Sequence, residues 1–231
     1  INNDSAIGFA LVALGRSSSL MNEAMERLST GKRINKASDD PAGIHQVMRL
    51  NAEIQGIETA SKNAADGQSL IDTLETSLSE VQSILLRMRE LTIQAISDTN
   101  SAADRLALDT ELSQLELEIT RIGSTTSFGG KPVFDGNLHY LQIGPRSGNT
   151  LEVQAYTLSA STLGLTQDLT TRNNAENYLG IIDTAIEDIN ERRGAAGALS
   201  NRLDFIMSNL DNSRVNLIKS RSIIELSLIH I

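Results

Sequence analysis

Apolar residues recur along this chain at steps of three and four. Between positions 71 and 88 they fall at Ile71, Leu74, Leu78, Val81, Leu85 and Met88. Later they fall at Ile182, Ile186, Ile189, Ala196, Leu199, Leu203, Ile206, Leu210, Leu217 and Ile224. A spacing that averages 3.5 predicts helices laid along one another as a coiled coil or slender bundle. An earlier set, Ile7, Leu11, Leu14, Met21, Met25 and Leu28, predicts a first helix over residues 1–30 that ends at Gly31. The three prolines, Pro41, Pro132 and Pro145, leave 42–131 and 146–231 free of the strongest helix breaker.

Boundary signals divide these stretches. Asp40 before Pro41 predicts a helix start, because Asp caps and proline suits the first turn. A helix over 41–97, at about 1.5 Å per residue, spans roughly 80 Å. Gly56 and Gly67 lie inside it and are expected to admit a close neighbour rather than to break it. The turn 98–101 precedes Ser101 and Asp104, spaced as a capping box, and a helix over 102–122 that ends at Gly123. Residues 124–156 change character: Gly129-Gly130, Asp135-Gly136-Asn137 and the 145–149 cluster are turn signals, and the runs 138–143 and 151–156 between them predict β-hairpins. Asn173, three residues before Glu176, predicts the cap of a last helix over 174–225. The expected fold is mainly α, an elongated antiparallel helical rod with a small β-hairpin patch.

Composition narrows the function classes. Aromatics are only 3% of the 231 residues and tryptophan is absent, which fits narrow helix seams better than a thick core. A formal charge of −9 argues against nucleic acid and against an anionic membrane face. Without cysteine there is no disulfide, zinc ribbon or thiol catalysis. No stretch approaches the roughly 20 apolar residues that span a bilayer. The first residues have no basic region ahead of their apolar run and do not begin with Met, so a fragment at the amino end is expected rather than a signal peptide.

No constellation reaches an active site. His45, His139 and His230 are dispersed, without a second ligand at metal spacing. Asp39-Asp40 has a capping role, and Glu116 and Glu118 fall on a helix. Gly194 and Gly197 lack the Lys-Ser/Thr of a phosphate loop, and Ser17–Ser19 lack His and Asp partners. Neither a cofactor nor a metal is expected, and the chain reads as no enzyme.

Six blocks in order carry a resemblance. Glu26-Arg-Leu-Ser-Thr-Gly-Lys-Arg-Ile-Asn-Lys-Ala-Ser-Asp-Asp-Pro-Ala-Gly43 resembles the amino-terminal signature of bacterial flagellins. The segments 63–69, 86–94, 128–136, 141–144 and 192–203 are similar to further flagellin blocks. The resemblance covers residues 1–225. It implies a structural subunit of the flagellar filament, of a short form without the variable outer domains. It also implies a core helix and connector at 1–40, a flagellin rod domain at 41–225 and an atypical tail at 226–231. That tail matches no flagellin pattern, so the final family helix is expected to be missing, with the first helix left without an intrachain partner and the chain monomeric unaided.

The implied partners are copies of the chain itself, an export chaperone, cap proteins and, in animal hosts, Toll-like receptor 5. The implied location is the extracellular filament, reached without a cleaved signal peptide. The positions that match receptor contacts are Arg87, Leu91 and Gln94 on the long helix and Glu111 on the antiparallel one, a surface that also serves assembly. The rival readings are a hook–filament junction protein, which shares the Thr-Gly-Lys-Arg and Asp-Asp-Pro signature, and a cell-surface homologue that binds polysaccharide.

Overall fold

The computed structural model describes residues 3–226, and side chains from residue 7 on. Its elements run α1 (Asn3–Thr30), α2 (Pro41–Ile96), α3 (Ala102–Thr125), β1 (Ser127–Phe128), β2 (Lys131–Pro132), β3 (Leu138–Gln142), β4 (Thr150–Gln154) and α4 (Arg172–Glu225). The fold is mainly helical with a small antiparallel β patch, as the spacing predicts. The tail at 227–231, with His230, lies outside the described residues. The chain forms two compact units, residues 1–59 with 210–231, and residues 60–209. The division falls inside α2 and α4.

The 60–209 unit is built on one seam. On α2 the buried positions are Ala64, Ile71, Leu78 and Leu85, interleaved with Leu74, Val81, Met88 and Ala95. They are the a and d positions of a heptad, and they hold their phase across the unit. On α4 the matching set is Ala175, Tyr178, Ile182, Ala185, Ile189, Ala196 and Leu203. The helices are antiparallel, because the polar pairs beside the seam descend α4 as they climb α2. Gln68 meets Ser200, Glu75 meets Arg193, Gln82 meets Asn190 and Arg89 meets Asp183. The α2 partners, at 68, 75, 82 and 89, stand at every seventh residue. That is the e position, where a polar side chain shields the seam while its tip stays wet.

Caps fix the helix ends. Gly43 N–H donates to the Asp40 carboxylate at 2.9 Å, so Asp40 caps α2 with Pro41 in its first turn. Ser101 and Asp104 form a reciprocal capping box on α3. The Ser101 hydroxyl, foremost, holds the Asp104 carboxyl below its ordinary range. The cap of α4 differs from the sequence expectation: Thr171 accepts from Asn174 N–H at 3.2 Å, two residues before Asn173. Asp168 draws the loop tight by accepting from Thr170 N–H and Asn174, so the helix begins earlier.

The β patch packs where glycines let it. Strands β3 and β4 pair antiparallel, with His139 opposite Val153 and Leu141 opposite Leu151. Leu151 and Val153 are buried on one face, and Leu138 and Tyr140 are exposed on the other. A Cβ on Gly67 would lie 2.4 Å from Leu141, so this glycine admits the hairpin onto α2. Gly123 does not end α3, which continues to Thr125. A Cβ there would sit 1.9 Å from the Leu158 carbonyl oxygen, so the residue is a close-approach point. Arg192 on α4 clamps the strand exit, stacking 4.8 Å from the Tyr156 ring and donating to Thr157 O at 3.1 Å.

The other unit contains α1, the connector and the outer ends of α2 and α4. Arg33 N–H donates to Glu225 O at 2.7 Å, Lys32 pairs with the Glu225 carboxylate at 3.4 Å, and Arg221 donates to Asn51 at 2.8 Å. A backbone donor thus meets the last carbonyl of α4, Lys32 pairs with the acid at that end, and Arg221 ties α4 to α2. Along α1 the case is different. Its large apolar residues stay uncovered, from Ile7 at 53% exposed to Phe9 and Leu28 at 79%.

Leu78 is fully buried at the middle of the α2–α4 seam. Leu78→Ala is expected to lower the unfolding free energy by about 3 kcal/mol, the transfer loss plus a cavity. Denaturant melts followed by circular dichroism check this; a loss below about 1 kcal/mol contradicts a tightly packed seam.

Candidate functional site

The Arg87 guanidinium straddles two acids. Its Nε and Nη2 donate to Glu111 Oε1 at 3.1 and 2.8 Å, and its Nη1 donates to Glu90 Oε2 at 3.1 Å. The first contact crosses from α2 to α3, and the second runs along α2. Hydrogen bonding to Glu111, then to Glu90, raises the arginine above its ordinary value. All three side chains are exposed, Glu111 the least at 45%. The fork is a preorganised, solvated polar surface rather than a buried pair, and such exposed pairs contribute little to stability.

The other two positions separate. Leu91 is 1% exposed and lies in the interior, whereas Gln94 is exposed. At about 100° per residue, Leu91 is turned roughly 40° from Arg87 to one side and Gln94 about 20° to the other. That small difference separates a buried position from exposed ones. Arg87, Gln94 and Glu111 form the accessible surface, and Leu91 lies in the interior.

The turn between α2 and α3 holds this surface in place. The Gln94 carbonyl accepts from Ser97 N–H at 3.2 Å and from the Asn100 side chain. Arg105 donates to Ala95 O at 2.9 Å and Ser97 O at 3.2 Å, a cation at the carbonyl end of α2. Arg172 joins in from α4, pairing with Asp98 at 2.9 Å. Sequence periodicity does not flag Arg105 or Arg172, since neither belongs to an apolar stripe; their signal is only that both fall in the first turn of a helix.

Glu116 is an acid held by a buried tyrosine. Tyr178 is fully buried and donates its hydroxyl to Glu116 Oε1 at 2.6 Å. Burial pushes the carboxyl up; the tyrosine bond opposes that, and Asp109 on the same helix adds to it. Burial, foremost, drives the phenol far above its usual range. Glu118 only pairs with Arg121. His45 is exposed, and His139 Nε2 lies 3.2 Å from Asp135. No group of three or more His, Cys, Asp or Glu that could hold a metal occurs among the described residues. Among them, no helix is long and apolar enough to cross a membrane.

The comparisons decide the family. The bacterial flagellin N-terminal helical region matches residues 1–139, more than half of the chain. The chain belongs to the bacterial flagellin family. It is 40% identical over 200 residues to a flagellin of Halalkalibacterium halodurans, covering 84% of this chain and 74% of the relative. It is 31% identical over 236 residues to flagellin FlaB1 of Treponema pallidum, covering 94% of this chain and 82% of the relative. A crystal structure of Bacillus cereus flagellin superposes with a TM-score of 0.60 at 35% identity, over 64% of this chain and 88% of that one. Flagellins are structural proteins rather than enzymes. Membership implies a subunit of a homopolymeric flagellar filament exposed outside the cell.

The raised Glu116 carboxyl sets a pH signature. Its folded pKa lies above the unfolded 4.5, so the folded state binds a proton more tightly. The wild type therefore gains stability as pH falls through the folded pKa, and the gain is complete below 4.5. Unfolding midpoints of wild type and Glu116→Gln, measured from neutral pH to pH 4, are expected to shift in the wild type's favour with acid. A gap that stays constant, or moves the other way, contradicts the burial of this acid.

Proposed function

We propose that this flagellin assembles by burying the apolar face of α1 against helices of other subunits. The supporting observation is the face itself: Ile7, Leu11, Leu14, Met21, Met25 and Leu28 recur at helical spacing and are all more than half exposed. An isolated helix with such a seam is marginal in water, and burial against another helix is what stabilises it. An export chaperone and cap proteins are the accessory partners this role requires.

The second part of the reading concerns Arg87, Gln94 and Glu111, with Leu91 buried on the same helix as Arg87 and Gln94. This surface binds the neighbouring subunit in the filament and Toll-like receptor 5 in an animal host. A planar arginine already oriented by two acids loses little freedom on binding, and arginine is a common interface anchor. Because both partners use one surface, the receptor recognises free subunits and not filaments.

Assembly is tested by adding the full chain to sheared filament seeds and measuring the pelleted fraction. The wild type is expected to join the seeds, and Leu14→Asp/Leu28→Asp to do so about tenfold less, as for about 1.4 kcal/mol or more of lost association. Equal pelleting of the two overturns the role of α1, and no pelleting of the wild type overturns assembly. Receptor binding is tested separately in reporter cells. Arg87→Ala, with unchanged helix content, is expected to need at least roughly tenfold more protein for half-maximal signalling; unchanged signalling overturns the receptor reading.

A further inference from the structure

We propose that Met21 and Met25 form an oxidation site on α1, where a hydroperoxide converts both thioethers to sulfoxides and makes the apolar face polar. The site follows from how the chain distributes its five methionines. Met88 is fully buried in the α2–α4 seam, and Met207 packs partly buried against the same core. Met21 and Met25 are each 63% exposed, and Met48 on α2 is 64% exposed. Sulfoxide formation needs a peroxide oxygen to reach the sulfur, so the exposed three react and the core one is shielded.

Position separates the α1 pair from Met48. Met21 and Met25 are four residues apart, so they share one face of the helix. Leu14 lies seven residues before the first, and Leu28 three residues after the second, on that same face. The Glu23–Arg27 ion pair sits on the opposite side, about 200° around the helix. The two sulfurs therefore lie on the line of Leu14 and Leu28, with Ser17, Ser18, Asn22 and Ser29 at its margins. Met48 instead borders the connector, near Ile34 and Val47, off the α1 seam.

The chemistry balances without a further reactant. The thioether sulfur attacks one peroxide oxygen, the O–O bond breaks, and water leaves when the peroxide is hydrogen peroxide. The sulfur is oxidised by two electrons and the peroxide is reduced by two. The product carries a strong acceptor oxygen on what was a flexible apolar side chain. Burying the oxidised face against another apolar helix strips that oxygen of water, which costs free energy. Oxidation thus acts against packing of α1, and sulfoxide reduction restores it. Its consequence for assembly rests on the role proposed above for α1; the site itself does not.

The experiment treats the full chain with hydrogen peroxide and follows each methionine by peptide mass spectrometry. Met21 and Met25 are expected to oxidise at least about tenfold faster than Met88. Similar rates at all three sulfurs overturn the site. Retention on a phenyl column then reads the α1 face without any assembly. Treated wild type and Met48→Leu are expected to elute earlier than untreated, while Met21→Leu/Met25→Leu shifts less. An equal shift in the double variant overturns the assignment to α1. Addition to filament seeds completes the test, comparing each protein before and after peroxide. The double variant keeps its own untreated level and the wild type falls below its own. An equal fall in both overturns the effect on assembly, whereas failure of untreated wild type to add bears only on the role of α1.

Discussion

The α2–α4 seam is the constraint on which the 60–209 unit depends. Mostly aliphatic and small residues, with Met88 and Tyr178 among them, hold a and d positions in phase from Ala64 to Ala95 and from Ala175 to Leu203. Everything else in the unit is fastened to that pair. The α3 helix lies along α2 because Leu112, Ile119 and Ile122 are buried in the same cluster. The β hairpin reaches α2 at Gly67, and the loop after it reaches α3 at Gly123. A chain with few aromatics builds its core this way: many small increments of aliphatic burial along a line, not a few large rings at a centre.

The same spacing has opposite outcomes in two places. In α2 and α4 the stripe has an intrachain partner and is dry. In α1 the stripe is as regular, yet its residues face water. Hydrophobic burial has no directional preference for self over non-self, so an uncovered seam of this length is a demand for another helix. On the proposed role of α1 that demand stays unmet until a neighbouring subunit arrives, and the flagellin family to which the chain belongs is a structural one.

What could be foreseen from the sequence follows from which interactions are local. The stripe from Ile71 to Met88, the Asp40–Pro41 start and the Ser101–Asp104 box all depend on residues within a few positions of one another, and the structure keeps them. Contacts between distant segments were hidden. Gly123 looks like a terminator until Leu158 is placed against it. Asn173 looks like a cap until Asp168 tightens the loop and hands the role to Thr171. Leu91 shares a nominal face with Arg87, but it stands about 40° around the helix and is buried. Helical spacing tells which residues point the same way, while burial depends on the neighbour.

Hydrogen exchange measured on the free chain and on the chain within filaments tests the central claim most directly, because it reports cover on each helix separately. The account predicts slow exchange across the middle of α2 and α4 in both states. It predicts fast exchange along α1 in the free chain and strong protection of α1 after assembly. Protection of α1 already in the free chain, or none gained in the filament, would contradict it.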